Sequence, residues 1–254
     1  MINIILSGCN GKMGRVITAS AAIRDDVQIV AGLDALDTTE NSGYPVFAKA
    51  DLCDIPADVI IDFSHPAALA SLLNLAVNRS LPLVLATTGM SPEQLADIEK
   101  AADSVPVFFT ANMSLGVNLL LELSKMAAKL LGNDFDIEII EKHHNQKIDA
   151  PSGTALMLAN GISSVLPREP VYTYDRHSRR GKRSKNEIGI HAIRGGTITG
   201  EHDVLFAGQD EVLTLSHSAA SKEVFATGCI NAALFLSGKP AGLYNMADLI
   251  AGLS

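Results

Sequence analysis

The densest chemistry in the chain lies in fourteen residues, Glu141-Lys142-His143-His144-Asn145-Gln146-Lys147-Ile148-Asp149-Ala150-Pro151-Ser152-Gly153-Thr154. Two imidazoles here can deliver a proton near neutral pH, and Lys147 adds a cation. Ser152 ahead of Gly153-Thr154 reads as the cap of a helix, whose first N–H groups lack intrahelical partners and receive an anion. Such a set suits the holding and protonation of a small dianion. Taken singly, each His is more often structural and Pro-Ser-Gly-Thr more often a plain cap; the clustering favours chemistry. His143 and His144 point to opposite faces if both lie on a strand, and can share one pocket if the strand has ended.

A second group of residues starts at Ile2-Asn3-Ile4-Ile5-Leu6, an apolar strand running into Gly8-Cys9-Asn10-Gly11-Lys12-Met13-Gly14. A phosphate needs backbone N–H groups aimed at it and no Cβ in the way, so glycines gather where a strand hands over to a helix N-terminus. Asn10 stands where a second glycine is usual, and Asn tolerates unusual backbone angles. Asp34, 20 residues after Gly14, ends the second apolar run, where a carboxylate accepts from an adenosine ribose. Its plainer reading is a turn or helix-start aspartate. Ala35 follows, and no Arg or Lys comes before Glu40 to neutralise a 2′-phosphate. NADH is therefore the expected hydride donor, with NADPH accepted through Lys12. Ala86-Thr87-Thr88-Gly89 and Thr110-Ala111-Asn112-Met113 follow later strands, as ligand-binding turns of an open α/β sheet or as ordinary turns.

The elements that must position these residues show two patterns. Strand-like runs at Ile2 to Leu6, Gln28 to Leu33, Val59 to Phe63, Leu83 to Ala86 and Val105 to Phe109 alternate with helical patterns at Lys12 to Ile23, Pro66 to Asn78 and Pro92 to Ala102. Ser91 with Gln94 forms a capping box, with Pro92 at the first helical position. This alternation predicts a doubly wound, Rossmann-like α/β domain. After Asn112 come a long apolar helix from about Val117 to Leu131, a strand from Asp136 to about Lys142 and the helix opened by Ser152. Runs at Ile188 to Arg194, Asp203 to Phe206 and Val212 to Ser216 then follow without helices between them. They predict a second α+β domain with a mixed or antiparallel sheet, and Lys222 to Leu236 is helical and can return to the first domain. The expected division is 1–112 with 218–254 for the dinucleotide and 113–217 for substrate and oligomerisation.

A net charge of −8 disfavours nucleic acid and anionic membranes, which need a broad positive field. An anionic substrate must then find a local basic pocket. The basic stretch Arg176 to Lys185 is either a solvated, mobile loop or an electrostatic funnel for that substrate. Cys9, Cys53 and Cys229 have no disulfide or zinc spacing and read as buried apolar side chains; no metal constellation is visible. No leader-like segment or membrane-length apolar run stands out, so a cytoplasmic, soluble protein is expected.

Glu141 to Ala155, with His143-His144, Lys147 and Asp149-Ala150-Pro151-Ser152-Gly153-Thr154-Ala155, resembles the signature of the 4-hydroxy-tetrahydrodipicolinate (dihydrodipicolinate) reductase family. The likeness continues at Gly8 to Gly14, Ala86 to Gly89, Ala111-Asn112, Arg194-Gly195-Gly196, Gly200-Glu201-His202, Phe225-Ala226 and Gly242-Leu243-Tyr244. It implies a two-domain NAD(P)H-dependent oxidoreductase of lysine and diaminopimelate biosynthesis, a homotetramer through its second domain, acting on a cyclic dicarboxylate. By that resemblance His143 is the general acid and Lys147 a second proton donor, while His144, Gly153 and Thr154 bind substrate. Gly8, Cys9, Asn10, Gly11, Lys12, Met13, Asp34, Ala86, Thr87, Thr88, Thr110, Ala111, Asn112 and Met113 contact the cofactor. Met113 replaces a common aromatic, and Lys222 an Arg of some members. The competing readings are a two-domain dehydrogenase of an amino acid or sugar, and a nucleotide-sensing protein with an inactive second domain.

Overall fold

A computed structural model describes residues 1–35, 43–110, 112–132, 134–178 and 180–252. The chain divides into two compact units, Met1–Leu115 with Lys222–Ser254, and Gly116–Ser221.

In the first unit β1 (Ile2–Ser7), α1 (Lys12–Ala22), β2 (Val27–Leu33), β3 (Val46–Phe47), β4 (Val59–Asp62), α2 (Leu69–Arg79), β5 (Leu83–Leu85), α3 (Pro92–Ala102) and β6 (Pro106–Phe109) follow in order. The chain re-enters this unit with α6 (Glu223–Leu236), β12 (Gly242–Tyr244) and α7 (Met246–Ala251). Among the described residues the sheet runs β12-β6-β5-β4-β1-β2-β3, with each neighbouring pair parallel. Its strands are apolar on both faces because both are covered. Ile4, Leu6, Ile61 and Phe108 pack with Ile17 of α1 and Ile230, Ala233 and Leu236 of α6. Ile5, Ile60, Leu83 and Val107 pack instead with Leu69, Leu72 and Ala76 of α2 and Ile98 of α3. This is the doubly wound layering the sequence predicts. The Ser91 box forms as expected, with Oγ accepting from Gln94 N at 3.3 Å and Gln94 Oε1 accepting from Ser91 N at 3.0 Å. The predicted helix from Pro66 is corrected in its first turn, where Pro66–Ala68 is a 3₁₀ turn capped by His65.

The second unit contains α4 (Leu115–Leu131), β7 (Asp136–His143), α5 (Gly153–Ser163), β8 (Val171–Thr173), β9 (Glu187–Arg194), β10 (Gly200–Ala207) and β11 (Val212–Ala219). The sheet order is β11-β10-β7-β9-β8; β7 is antiparallel to β10 and parallel to β9, so the sheet is mixed. β7 alternates strictly, its inward residues being Ile137, Ile139, Glu141 and His143. The first two join Val204, Phe206, Ile188 and Ile190 beneath Leu120 and Ala128 of α4 and Leu158, Ala159 and Ile162 of α5. The last two continue the same face into a polar end, and that end carries the site.

Candidate active site

The candidate nucleotide half-site lies at the carboxyl ends of β1, β2 and β4. Gly8 has φ +76°, and a Cβ there would lie 2.5 Å from the Phe63 carbonyl oxygen. At Gly14 a Cβ would meet Gly8 O at 2.2 Å and Cys9 O at 2.5 Å, so α1 starts hard against the turn. Asn10 does not take a left-handed conformation, correcting the reason expected for it. Its N–H instead donates to Asp34 Oδ2 at 3.0 Å, which ties the glycine turn to the residue after β2. A cavity of about 1180 Å³ runs past Gly8, Gly11, Asp34, Ala35, Ser64 and His65.

The other expected cofactor residues divide by exposure. Lys12 and Thr88 are exposed, and Met13, Thr110 and Asn112 are half-buried. Ala86 and Thr87 are buried, as are Cys9 and Met113, whose side chains belong to the core. Burial, with the Asp34 charge beside it, pushes the Cys9 thiol up to about 11, so it stays protonated. Ala111 lies outside the described residues. Sequence reasoning passed over Asp62, which is 1% exposed. It accepts from Ser64 N at 3.1 Å, Ser64 Oγ at 2.5 Å and Thr87 Oγ1 at 2.7 Å, joining the loops after β4 and β5. The available signal was a carboxylate closing an otherwise apolar strand, Val59-Ile60-Ile61-Asp62.

In the second unit β7 ends at His143, and His144 opens the loop. His143 is buried and its Nδ1 lies 2.7 Å from Glu141 Oε2. Lys142, between them, faces the other way and pairs with Glu201 and Asp203. Glu141 is fully buried. Its carboxylate accepts from Arg194 Nη1 and Nη2, both at 2.7 Å, and from Ser152 N at 3.0 Å. Burial alone would raise the Glu141 carboxyl, but these hydrogen bonds and the one from His143 outweigh it and hold the group below the usual carboxylate range.

Ser152 caps α5 as expected, its Oγ accepting from Ala155 N at 3.1 Å. Oγ also lies 3.0 Å from His202 Nε2. His202 stands edge-on to His143 with ring centroids 5.3 Å apart; burial, reinforced by His143, pushes it down to about 4, so it is neutral at pH 7. Lys147 pairs with the exposed Asp149 at 2.8 Å. His144 and Thr154 are half-exposed and Gly153 is exposed at the first position of α5. Glu141, Arg194 and His202 are the partners that the chemical reading left without roles.

Most described residues of the basic stretch are exposed, as a solvated loop requires, but two of its charges are anchored. Arg176 pairs with Glu138 and Glu187, and Arg183 with Asp136 and Glu138. Both are therefore held at the opposite end of β7 from His143, and carboxylates already neutralise them. All three cysteines are buried thiols, as expected. Among the described residues no cluster of His, Cys, Asp or Glu could hold a metal, and no helix is long and apolar enough to cross a membrane.

A doubly wound parallel sheet, joined in one chain to a mixed sheet carrying a buried histidine–carboxylate pair, is the build of a two-unit α/β protein, and its relatives make the class an NAD(P)H-dependent oxidoreductase. Family models described as dihydrodipicolinate reductase, N-terminus and C-terminus, match residues 2–113 and 116–250. The chain belongs to the dihydrodipicolinate reductase family. It is 52% identical over 250 residues to the 4-hydroxy-tetrahydrodipicolinate reductase of Caldanaerobacter subterraneus subsp. tengcongensis, covering 98% of each chain. It is also 52% identical to that of Clostridium tetani, covering 97% of this chain and 96% of the other. Among solved structures, dipicolinate-bound dihydrodipicolinate reductase from Paenisporosarcina sp. TG-14 aligns with a TM-score of 0.81 and 26% identity, over 96% of this chain and 97% of that one. A myo-inositol dehydrogenase from Corynebacterium glutamicum, at 18% identity and a TM-score of 0.62, shares the fold.

Proposed function

We propose that the chain reduces 4-hydroxy-tetrahydrodipicolinate, by way of dihydrodipicolinate, to tetrahydrodipicolinate in lysine and diaminopimelate biosynthesis. The observation that carries this reading is the grouping in the second unit of a buried, carboxylate-bound imidazole, the N-terminus of α5 and Lys147. The full-length relatives and the dipicolinate-bound neighbour support it.

Residues 1–112 with 218–254 serve the dinucleotide, and 113–217 serve substrate and assembly. The glycine turn, Asp34 and the residues around Thr87 and Asn112 hold the nucleotide, for which the cavity beside Gly8 and Asp34 has room. A bound reduced nicotinamide supplies the hydride. His143 delivers the proton that must accompany it, since hydride addition leaves negative charge on the acceptor. Lys147 and His144, with the first turn of α5 at Gly153 and Thr154, hold the acceptor's carboxylates. Lys147 is also a second source of protons.

NADH is the preferred donor. A carboxylate after β2, followed by Ala35, favours a ribose 2′-hydroxyl and repels a 2′-phosphate; Lys12, exposed beside the turn, allows NADPH as well. The protein works as a cytoplasmic homotetramer. The exposed Val212 and Leu213 of the sheet-edge strand β11 support contact through the second unit.

The test is a coupled assay with the aldolase product of pyruvate and aspartate semialdehyde, following nicotinamide absorbance. His143→Ala should lower kcat by roughly 10²–10⁴-fold with little change in KM, the usual worth of a positioned acid. Lys147→Ala should raise KM as well as lower kcat. Absence of turnover in the parent chain refutes the assignment, and an unaltered kcat for His143→Ala removes His143 from the mechanism.

A further inference from the structure

The two oxygens of Glu141 have different work. Oε1 accepts from Ser152 N at 3.0 Å and Arg194 Nη2 at 2.7 Å; Oε2 meets His143 Nδ1 at 2.7 Å and Arg194 Nη1 at 2.7 Å. Strand alternation places Glu141 and His143 on one face of β7, and register brings Arg194 to that face from β9, opposite His143. Arg194 Nη2 also donates to Asp149 O at 2.7 Å, so the loop bearing Lys147 hangs from the same guanidinium.

An ionised carboxylate only accepts. His143 must then carry a proton on Nδ1, which leaves Nε2 as the nitrogen able to exchange a proton with a ligand. Gly200 keeps that nitrogen from being covered, because a Cβ there would sit 3.1 Å from it. Since Ser152 N binds the other oxygen, one carboxylate also fixes the spacing between the imidazole and the start of α5.

We propose that Glu141 is the positioning residue of this site, holding His143 in the Nδ1–H form with Nε2 presented to the acceptor and locking the start of α5 in register with it. The proposal rests on the reading of His143 as proton donor. Glu141 does not touch the acceptor; it acts through the ring.

Glu141→Gln cuts the hold on the ring and spares the bond to the start of α5. The amide oxygen can keep Ser152 N and Arg194 Nη2, while the amide nitrogen takes the place of Oε2 and gives up the bond from Arg194 Nη1. It then donates to His143 Nδ1, driving the proton to Nε2, and it opposes the imidazolium that must form before proton delivery. In the full chain, kcat should fall roughly 10²-fold or more, by analogy with other carboxylates that fix an imidazole tautomer. KM for the acceptor should stay within about threefold, since ground-state binding is spared. In ¹⁵N-histidine-labelled enzyme the neutral His143 signal, assigned by its loss in His143→Ala, should move from the Nδ1–H to the Nε2–H pattern. Adding Glu141→Gln to His143→Ala should cost nothing further in kcat, because the carboxylate would have no ring left to act on. A Glu141→Gln enzyme with parental kcat, beside an impaired His143→Ala, overturns this proposal alone. So does an Nε2–H signal in the parent chain, which needs no variant of Glu141 to fold. An unimpaired His143→Ala overturns the proton-donor reading itself.

Discussion

The close approach of α1 to the glycine turn gives a sharp stability prediction at Gly14. A methyl group there would lie 2.2 Å from Gly8 O, 2.5 Å from Cys9 O and 2.6 Å from Cys9 Cα. All three are backbone atoms, so no rotamer change can relieve the contact, and the helix or the turn must shift by about 1 Å in a close-packed interior. Overpacking of this kind costs about 1–3 kcal/mol. For a domain of this size that lowers Tm by about 2–12 °C. If the turn binds the cofactor as proposed, the shift also carries its N–H groups away from the phosphates, and each 1.4 kcal/mol lost there weakens NADH binding about tenfold. Thermal melts with and without NADH, with calorimetric titration of NADH, measure both effects for Gly14→Ala. Gly153→Ala is the control, since its Cβ would meet nothing within 4 Å and its Tm should match the parent. A Gly14→Ala chain that melts and binds NADH like the parent refutes the argument.

His202 makes stability fall on acidification. Held at about 4 when folded, chiefly by burial, and free to titrate near 6.5 when unfolded, it lets the unfolded state take up the extra proton between those values. The stability present above pH 6.5 is lost toward pH 4, by up to about 3 kcal/mol. His202→Gln should flatten Tm against pH in that window, and an unchanged slope would remove His202 as the cause. Asp34→Ala should weaken NADH binding by about 1.5–3 kcal/mol, the scale of a hydrogen bond to a charged group, with little effect on NADPH. The ratio of kcat/KM for the two cofactors reads this directly, and an equal loss with both would leave the ribose contact unsupported.

The first unit was legible because a parallel sheet covered on both faces demands continuous apolar runs, and Val59-Ile60-Ile61 or Leu83-Val84-Leu85 cannot easily be anything else. Local rules also sufficed where the partners are local, as with Ser91 and Gln94 or Ser152 and Ala155. β3, β8, β12 and α7 went unread. They have two, three, three and six residues, and neighbouring elements rather than their own pattern hold them. The same division runs through the site. His143 and Lys147 sit in one short stretch and announced themselves, whereas Arg194 and His202 reach Glu141 and Ser152 across the register of β9 and β10, more than 45 residues away in sequence. The pairing of Glu141 with His143 was written as two residues on one strand face. Until Arg194 was seen to close on it, that spacing was indistinguishable from an ordinary amphipathic strand.

The two donors proposed for the second unit, His143 and Lys147, are held in opposite ways, and this bears on how one site would both grip a dianion and move a proton. His143 is packed against His202, bonded through Nδ1 to a carboxylate that is itself fixed by three other hydrogen bonds, and placed on a strand. Shifting its ring would cost the buried carboxylate one of its four hydrogen bonds, so its geometry is set before any ligand arrives. Lys147 sits in the loop, and its partner Asp149 has a side chain 61% exposed. An exposed ion pair contributes little, so an incoming carboxylate can take the ammonium from Asp149 at small cost. The loop does not drift when that happens, because Asp149 O stays bound to Arg194 and Lys147 N to His144 O. On the proposed roles burial thus divides the labour: the proton donor is rigid where orientation sets the rate, and the anion partner is exchangeable where the ligand must enter and leave.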